Sequence, residues 1–343
     1  MSCHLHYREA NRRRLAILAS IALITLGLFF TDLATGSSNL ALADIFAALN
    51  AGPHGESPEC VILWSLRLPT TLTALLVGAA LSLAGLSIQT ITGNALASPS
   101  TLGITSGASF GAALAIALGL SVGDALWLGT VGAAFFAALL VSTLILAFGR
   151  LRGMTPSTLI LAGILMNFLF MAMEELLIYL AAPEVAQVIS GWTFGNLERA
   201  SWLSTLSAGI ALFVGLFILV PQAWRLTILS LGEERAKSLG VPVTRLRFTV
   251  FLTSALLVAA SVSFIGTISF IGLVAPHCAR LLLGDDQRHL IAGSALSGGF
   301  LMLLSSLVAK LLSTGSLLPV GIVTAIAGVP FLLFLLLRGG RTL

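Results

Sequence analysis

The side chains of this sequence that could do chemistry fall into four groups, and the spacing of each limits what it can do. Glu174 and Glu175 form an adjacent acid pair about 18 residues into an apolar run that begins at Pro156. Carboxylates inside a membrane span are the usual pointer to ion or proton coupling. GASFG at 107–111 has the GxSxG spacing of an activated serine, and PHCAR at 276–280 sets His277 and Arg280 three residues apart, on one face of a helix. The stretch Arg225 to Arg247 holds seven of the 32 charged residues, with Glu233, Glu234, Arg235 and Lys237 close together.

None of these groups assembles a catalytic constellation. The GxSxG match lies inside an apolar helix and not on a strand-to-helix turn, so it reads as packing. The sequence carries neither an HExxH zinc helix nor a P-loop. Cys3, Cys60 and Cys278 are scattered, with no metal-ligand spacing and no disulfide framework. A lone His277 orders a helix end more readily than it binds metal. The reading is therefore of a chain with no metal or cofactor of its own. Any ATP hydrolysis that serves it belongs to another chain.

The elements that must position these residues are set by composition. Hydrophobic residues make up 57% of the 343, charged residues 9%, and the mean hydropathy is +1.03, which describes an all-α polytopic membrane protein. A net charge of +4 does not point to nucleic acid, because the basic residues flank apolar spans without aromatic interleaving. At about 20 residues per crossing, ten spans are expected: Leu15–Phe30, Leu68–Thr90, Thr101–Leu118, Ala125–Phe148, Pro156–Ala181, Trp202–Trp224, Leu246–Phe264, Ile271–Leu283, His289–Lys310 and Leu318–Arg338. The first follows Arg8, Arg12, Arg13 and Arg14, and with no convincing small-residue cleavage site behind it reads as an uncleaved span. Residues 246–283 are too few for two full crossings and a turn, so one of that pair is short or re-entrant. ALADIFAALN at 41–50 suits a short amphipathic helix on the outer surface.

Charge bias orients the set. With the N-terminus in the cytosol, 15 Lys and Arg fall inside and three (Arg67, Arg199 and Lys310) fall outside, as the positive-inside rule requires, and both termini are cytoplasmic. This places residues 225–247 in the cytosol. Within them Ser230 and Glu233 have capping-box spacing, Glu233 and Glu234 suit a helix N-terminus, Lys237 suits its C-terminus, and Gly240 and Pro242 stop it. A short ordered helix between two apolar spans suits docking of a soluble partner. Gly103, Gly107 and Gly111 repeat every four residues, which lets a neighbouring backbone approach. Trp64, Trp127, Trp192 and Trp202 fall at outer span ends and read as an interfacial belt. Glu174 and Glu175, roughly 27 Å along a helix in a core of about 30 Å, either anchor at the outer interface or line the outer mouth of a pathway.

The segments RLPTTLTALLVGAALSLAGLSIQTITGNALASPSTLGITSGASFGA (67–112), SLGEERAKSLGV (230–241), GTISFIGLVAPHCARLLLGDDQRHLIAGSALSG (266–298) and LPVGIVTAIAGVPFLLFLLLR (318–338) resemble, in order, the permeases of ABC importers for iron-siderophore complexes, haem and vitamin B12. The resemblance implies the type II importer permease fold, residues 1–343 forming a single ten-helix transmembrane domain in the bacterial inner membrane. It also implies partners: a second permease, identical or homologous; two cytoplasmic ATPase subunits carrying ATP and Mg; and a periplasmic or lipid-anchored binding protein that delivers the metal complex. In the family, the loop matching 225–247 is the coupling loop, which makes Ser230, Glu233, Glu234, Arg235, Ala236 and Gly240 contact candidates for the ATPase. Asn94 and Leu96, in the turn matching NPLA, resemble the cytoplasmic gate, and Pro276, His277 and Arg280 match the PHxxR signature. Arg67 and Lys310 match the positions that dock the binding protein, but the second basic position of RLPR is Thr70 and the Arg before the last span is Lys310, which cannot make a bidentate fork. A heteromeric transporter, whose second permease supplies the missing contacts, would account for that departure. A ferric siderophore or related chelate is the expected substrate, with haem or vitamin B12 as alternatives. A secondary active transporter is the rival of a different class, and it should show paired ionisable groups or broken helices at mid-depth.

Overall fold

The computed structural model describes residues 2–36, 40–122, 126–313 and 318–338. Ala125, the expected start of the fourth span, and Arg341, counted with the cytosolic cations, lie outside the described residues. In chain order the helices are α1 (Ser2–Ala34), α2 (Leu42–Ala51), α3 (Pro58–Ile62), α4 (Leu68–Thr92), α5 (Ile104–Leu118), α6 (Leu126–Arg152), α7 (Pro156–Leu180) and α8 (Pro183–Thr193). They continue as α9 (Trp202–Leu219), α10 (Ala223–Ser230), α11 (Glu233–Ser238), α12 (Val243–Ile265), α13 (Ile271–Leu283), α14 (Gln287–Leu312) and α15 (Val320–Arg338).

Seven of these runs, with α9 and α10 counted as one, are long and apolar enough to cross a membrane; α5, α13 and the apolar part of α15 are shorter. Together they give the ten expected spans among the described residues. α13 is the short member foreseen for residues 246–283. Its 13 residues rise only about 20 Å. The missing length is supplied by non-helical backbone at 266–270, and unpaired peptide groups at that depth must be enclosed by protein. Gly195, Gly266 and Gly321 make this possible. A Cβ on any of them would strike a backbone carbonyl of the 192–194 or 267 segments. Asn196 N–H donates to Ile265 O at 2.7 Å and Gly321 N–H to Gly195 O at 3.2 Å, so three irregular segments share their hydrogen bonds.

The core is organised around α4, which is buried along almost its whole length and packs against α9, α12, α13 and α14. Small residues let those helices approach. A Cβ on Gly85 would collide with the Gly272 carbonyl of α13, and one on Gly78 with the Gly298 carbonyl of α14. Of the expected glycine stripe, Gly107 and Gly111 admit α6 through Val141 and Ala133, and Gly103 admits the α7 backbone at Asn167. A smaller apolar cluster (Leu33, Ile45, Ala48, Cys60 and Leu63) joins the end of α1 to α2 and α3. The expected amphipathic helix is α2, seated on this cluster through Ile45 and Ala48. Trp64 stacks on Trp202 with ring centroids 6.1 Å apart, and Trp127 is exposed. Trp192 departs from the interfacial belt, since it is buried where α8 meets the irregular segments.

Candidate functional site

The charged stretch forms a short helix braced from behind. α11 is linked to α12 through Gly240, Val241 and Pro242, and Gly240 adopts φ +77, a left-handed conformation that ends the helix. The brace is Arg247, 3% exposed, at the start of α12. Its Nη2 donates to Glu233 Oε2 at 2.7 Å, its Nε to Ile91 O at 3.0 Å and its Nη1 to Met154 O at 2.9 Å. One guanidinium therefore ties α11 to the end of α4 and to the α6–α7 turn. Glu233 also accepts from Lys237 Nζ at 2.9 Å. The Arg247 hydrogen bond, followed by that from Lys237, holds the Glu233 carboxyl below the usual carboxylate range. Burial of Arg247 is tolerated because its hydrogen bonds replace water.

Two expectations for this loop are corrected. Ser230 does not cap α11: it sits in the last turn of α10 and its Oγ donates to Thr227 O, while Gly232 takes the N-cap and the Glu233 carboxylate is drawn to Arg247. Ala236, a candidate for partner contact, is wholly buried beneath α11. Glu234, Arg235, Lys237 and Gly240 do face outward, flanked by Leu231 and Leu239, which are 60% and 67% exposed. The helix thus offers charge on a rigid base between two bare leucines.

The turn after α4 lies at the same end of the bundle. Asn94 Oδ1 accepts from Leu96 N–H at 2.9 Å, closing an Asx turn, and Leu96 is 65% exposed. Pro276 lies within α13, His277 is half-buried, and Arg280 Nε pairs with Asp285 Oδ1 at 3.0 Å, fixing the end of α13. Gln287, at the start of α14, donates to Thr90 Oγ1 at 3.1 Å through Nε2 and to Thr227 Oγ1 at 3.1 Å through its backbone N–H. Arg14 reaches Asp286 at 3.4 Å. Hence α1, α4, α10 and α14 are joined at this end of the bundle by polar contacts. The spacing of Arg247 gives no hint of its role as the centre of this bracing, because Ile91 and Met154 are distant in sequence.

At the opposite end Arg67 and Lys310 do not form an exposed docking pair; both turn inward. Arg67 Nη1 donates to Leu33 O at 2.8 Å and to Ala34 O at 2.7 Å. Lys310 Nζ lies 2.8 Å from both the carbonyl and the Oδ2 of Asp32, which is fully buried. Thr71 Oγ1 donates to the same carboxylate at 2.7 Å. The physical reason is the end of α1, whose last carbonyls need donors and favour positive charge. Asp32 was not among the expected site residues.

Glu174 is buried among packed helices, whichever of the two expected roles it serves. It is 7% exposed and its Oε1 accepts from Ser109 Oγ at 3.0 Å and Thr193 Oγ1 at 2.9 Å, linking α7 to α5 and α8. Ser109, the serine of GASFG, is thus a donor within packed helices. Glu175 points outward. Among the described residues no three His, Cys, Asp or Glu side chains converge as metal ligands.

Comparison with known proteins agrees with this architecture. An iron chelatin transport system permease of Helicobacter pylori is 39% identical over 83% of this chain and 86% of its own length. The vitamin B12 import permease BtuC of Salmonella typhi is 34% identical over 97% and 98%. A solved metal-chelate type ABC transporter in an inward-facing conformation superposes with a TM-score of 0.83 at 32% identity, covering 94% of this chain and 99% of that one. The ten-span bundle is the type II ABC importer permease fold. Residues 23–338 match the FecCD transport family, and the chain belongs to that family.

Proposed function

We propose that this chain is the membrane-spanning subunit of an ATP-driven importer for a ferric siderophore or related metal chelate, embedded in a bacterial inner membrane with both termini in the cytosol. The observation that carries the reading is α11, a charged helix flanked by exposed Leu231 and Leu239 and braced by Arg247 against α4 and the α6–α7 turn. That arrangement suits transmission of force from a soluble ATPase on which ATP and Mg act, two copies of which serve a pair of permeases. Movement of α11 reaches Ile91, three residues before the Asn94 to Leu96 turn, the proposed gate. A loaded binding protein docks at the opposite end. Because Arg67 and Lys310 are engaged with α1 in this conformation, docking through them needs the clamp on α1 to open, or contacts supplied by a non-identical second permease. No covalent chemistry takes place in this chain.

The iron-chelate reading is supported by the identity to an iron chelatin permease, 39% against 34% for the vitamin B12 permease. A gradient-driven carrier is disfavoured because the Asp32–Lys310 pair sits in the last turn of α1 and not at mid-depth. Affinity of the cognate binding protein for a panel of ferric chelates, haem and cobalamin tests the substrate. Tightest binding to a ferric chelate is expected, and preference for haem or cobalamin would overturn the iron assignment.

A further inference from the structure

Beside α11 lies a cleft of about 570 Å³ between the end of α6 and the start of α12, with Arg150, Lys237 and Arg245 on its walls and Met154, Pro242 and Phe248 between them. No carboxylate lines it. The Arg150 guanidinium lies over the Phe248 ring, 4.4 Å from its centroid, which fixes its plane and leaves its N–H edges unspent. Among the described residues neither Arg150 nor Arg245 has a carboxylate partner, whereas Lys237 shares its charge with Glu233 at 2.9 Å.

We infer that this cleft holds the phosphate of an anionic membrane phospholipid, gripped by Arg150 and Arg245 and touched by Lys237 of the coupling-loop helix. The chemistry is complementary on both counts: guanidinium groups match phosphate oxygens, and the apolar wall suits the glycerol and first acyl carbons. The position also fits, since Arg150 lies in the last turn of α6 and Arg245 in the first turn of α12, where two apolar spans meet the headgroup layer. A free anion would have no use for the apolar wall. The lipid would buttress α11 beside the Arg247 brace, with which the cleft shares Met154, and make its position sensitive to membrane composition. This goes beyond the importer reading and stands or falls separately from it, because lipid retention is measured without transport.

The test uses the full chain in phosphatidylcholine nanodiscs with a small admixture of phosphatidylglycerol, followed by native mass spectrometry of retained lipid. Phosphatidylglycerol is expected to be retained over phosphatidylcholine, and added salt is expected to release it. The R150Q/R245Q variant should lose that retention by about tenfold, with phosphatidylcholine unchanged, and R150K/R245K should keep most of it. Equal retention of the two lipids by the wild-type chain would overturn the proposal without any variant. So would displacement by glycerol 3-phosphate, which would mark a free-phosphate site, or by the ATPase subunit, which would mark a protein contact.

Discussion

Among the cations this chain turns inward, Arg247 and Lys310 each bind a carboxylate. Arg247 and Lys310 have the same predicament: a charge removed from water must be given partners or it unfolds the segment that buries it. Lys310 has the Asp32 carboxylate and carbonyl, and Thr71 donates to the same carboxylate. Lys310→Met should therefore take its ion-pair partner from a fully buried carboxylate and cost about 3–5 kcal/mol. Pairing it with Asp32→Asn should recover much of the loss. Thermal unfolding of the detergent-solubilised variants checks this, and equal loss in single and double variants would mean that the pair does not interact. For Arg247 the test is pH. Glu233 titrates below its ordinary value because of Arg247, so the pair stabilises α11 fully above the ordinary carboxylate range and is lost as pH falls through the depressed value. Protection factors of amides 233–239 should drop in that acid window, and Glu233→Gln should have already lost the dependence. Neither pairing was legible beforehand. Arg67 and Lys310 match the family's docking positions in sequence, and nothing in the sequence around Asp32, at the end of a first span, points to them. Only three-dimensional proximity over 278 residues reveals that partnership.

Helices were the most readable level of this chain, because in a bilayer every peptide group must be bonded within its own segment and apolar run length becomes helix length. The expected Pro156–Ala181 span is α7, Pro156–Leu180, and α13 coincides with the expected Ile271–Leu283. Cap chemistry at the ends of α10 and α11 was less readable, since Ser230 had two backbone partners within reach and tertiary charge decided between them. Glycine spacing reported packing correctly at 103–111, while the closest approach, at Gly85, lies on a helix without that regular repeat. Gly85→Ala should force α13 away from α4 and cost about 1–3 kcal/mol, read as a lowered unfolding midpoint. At Gly240, φ +77 is closed to proline, whose ring fixes φ near −65°. Gly240→Pro should detach α11 from α12 and abolish ATP-driven uptake while the spans remain inserted. Uptake at the wild-type rate in that variant would mean that residues 225–247 are a passive connection.

For the molecule as a whole, the fold and the family are established by the ten spans and by the match over residues 23–338. What makes the assembly an importer is the proposed route from a partner's ATP cycle through α11 and Arg247 to the turn at Asn94. The most direct measurement is uptake of a ferric chelate into right-side-out vesicles containing the permease, with the ATPase subunit and ATP enclosed and the binding protein outside, each added or withheld. Accumulation should require all three, persist when proton and sodium gradients are collapsed, and vanish in Gly240→Pro. Accumulation that continues without ATP and follows an imposed proton or sodium gradient would contradict the account.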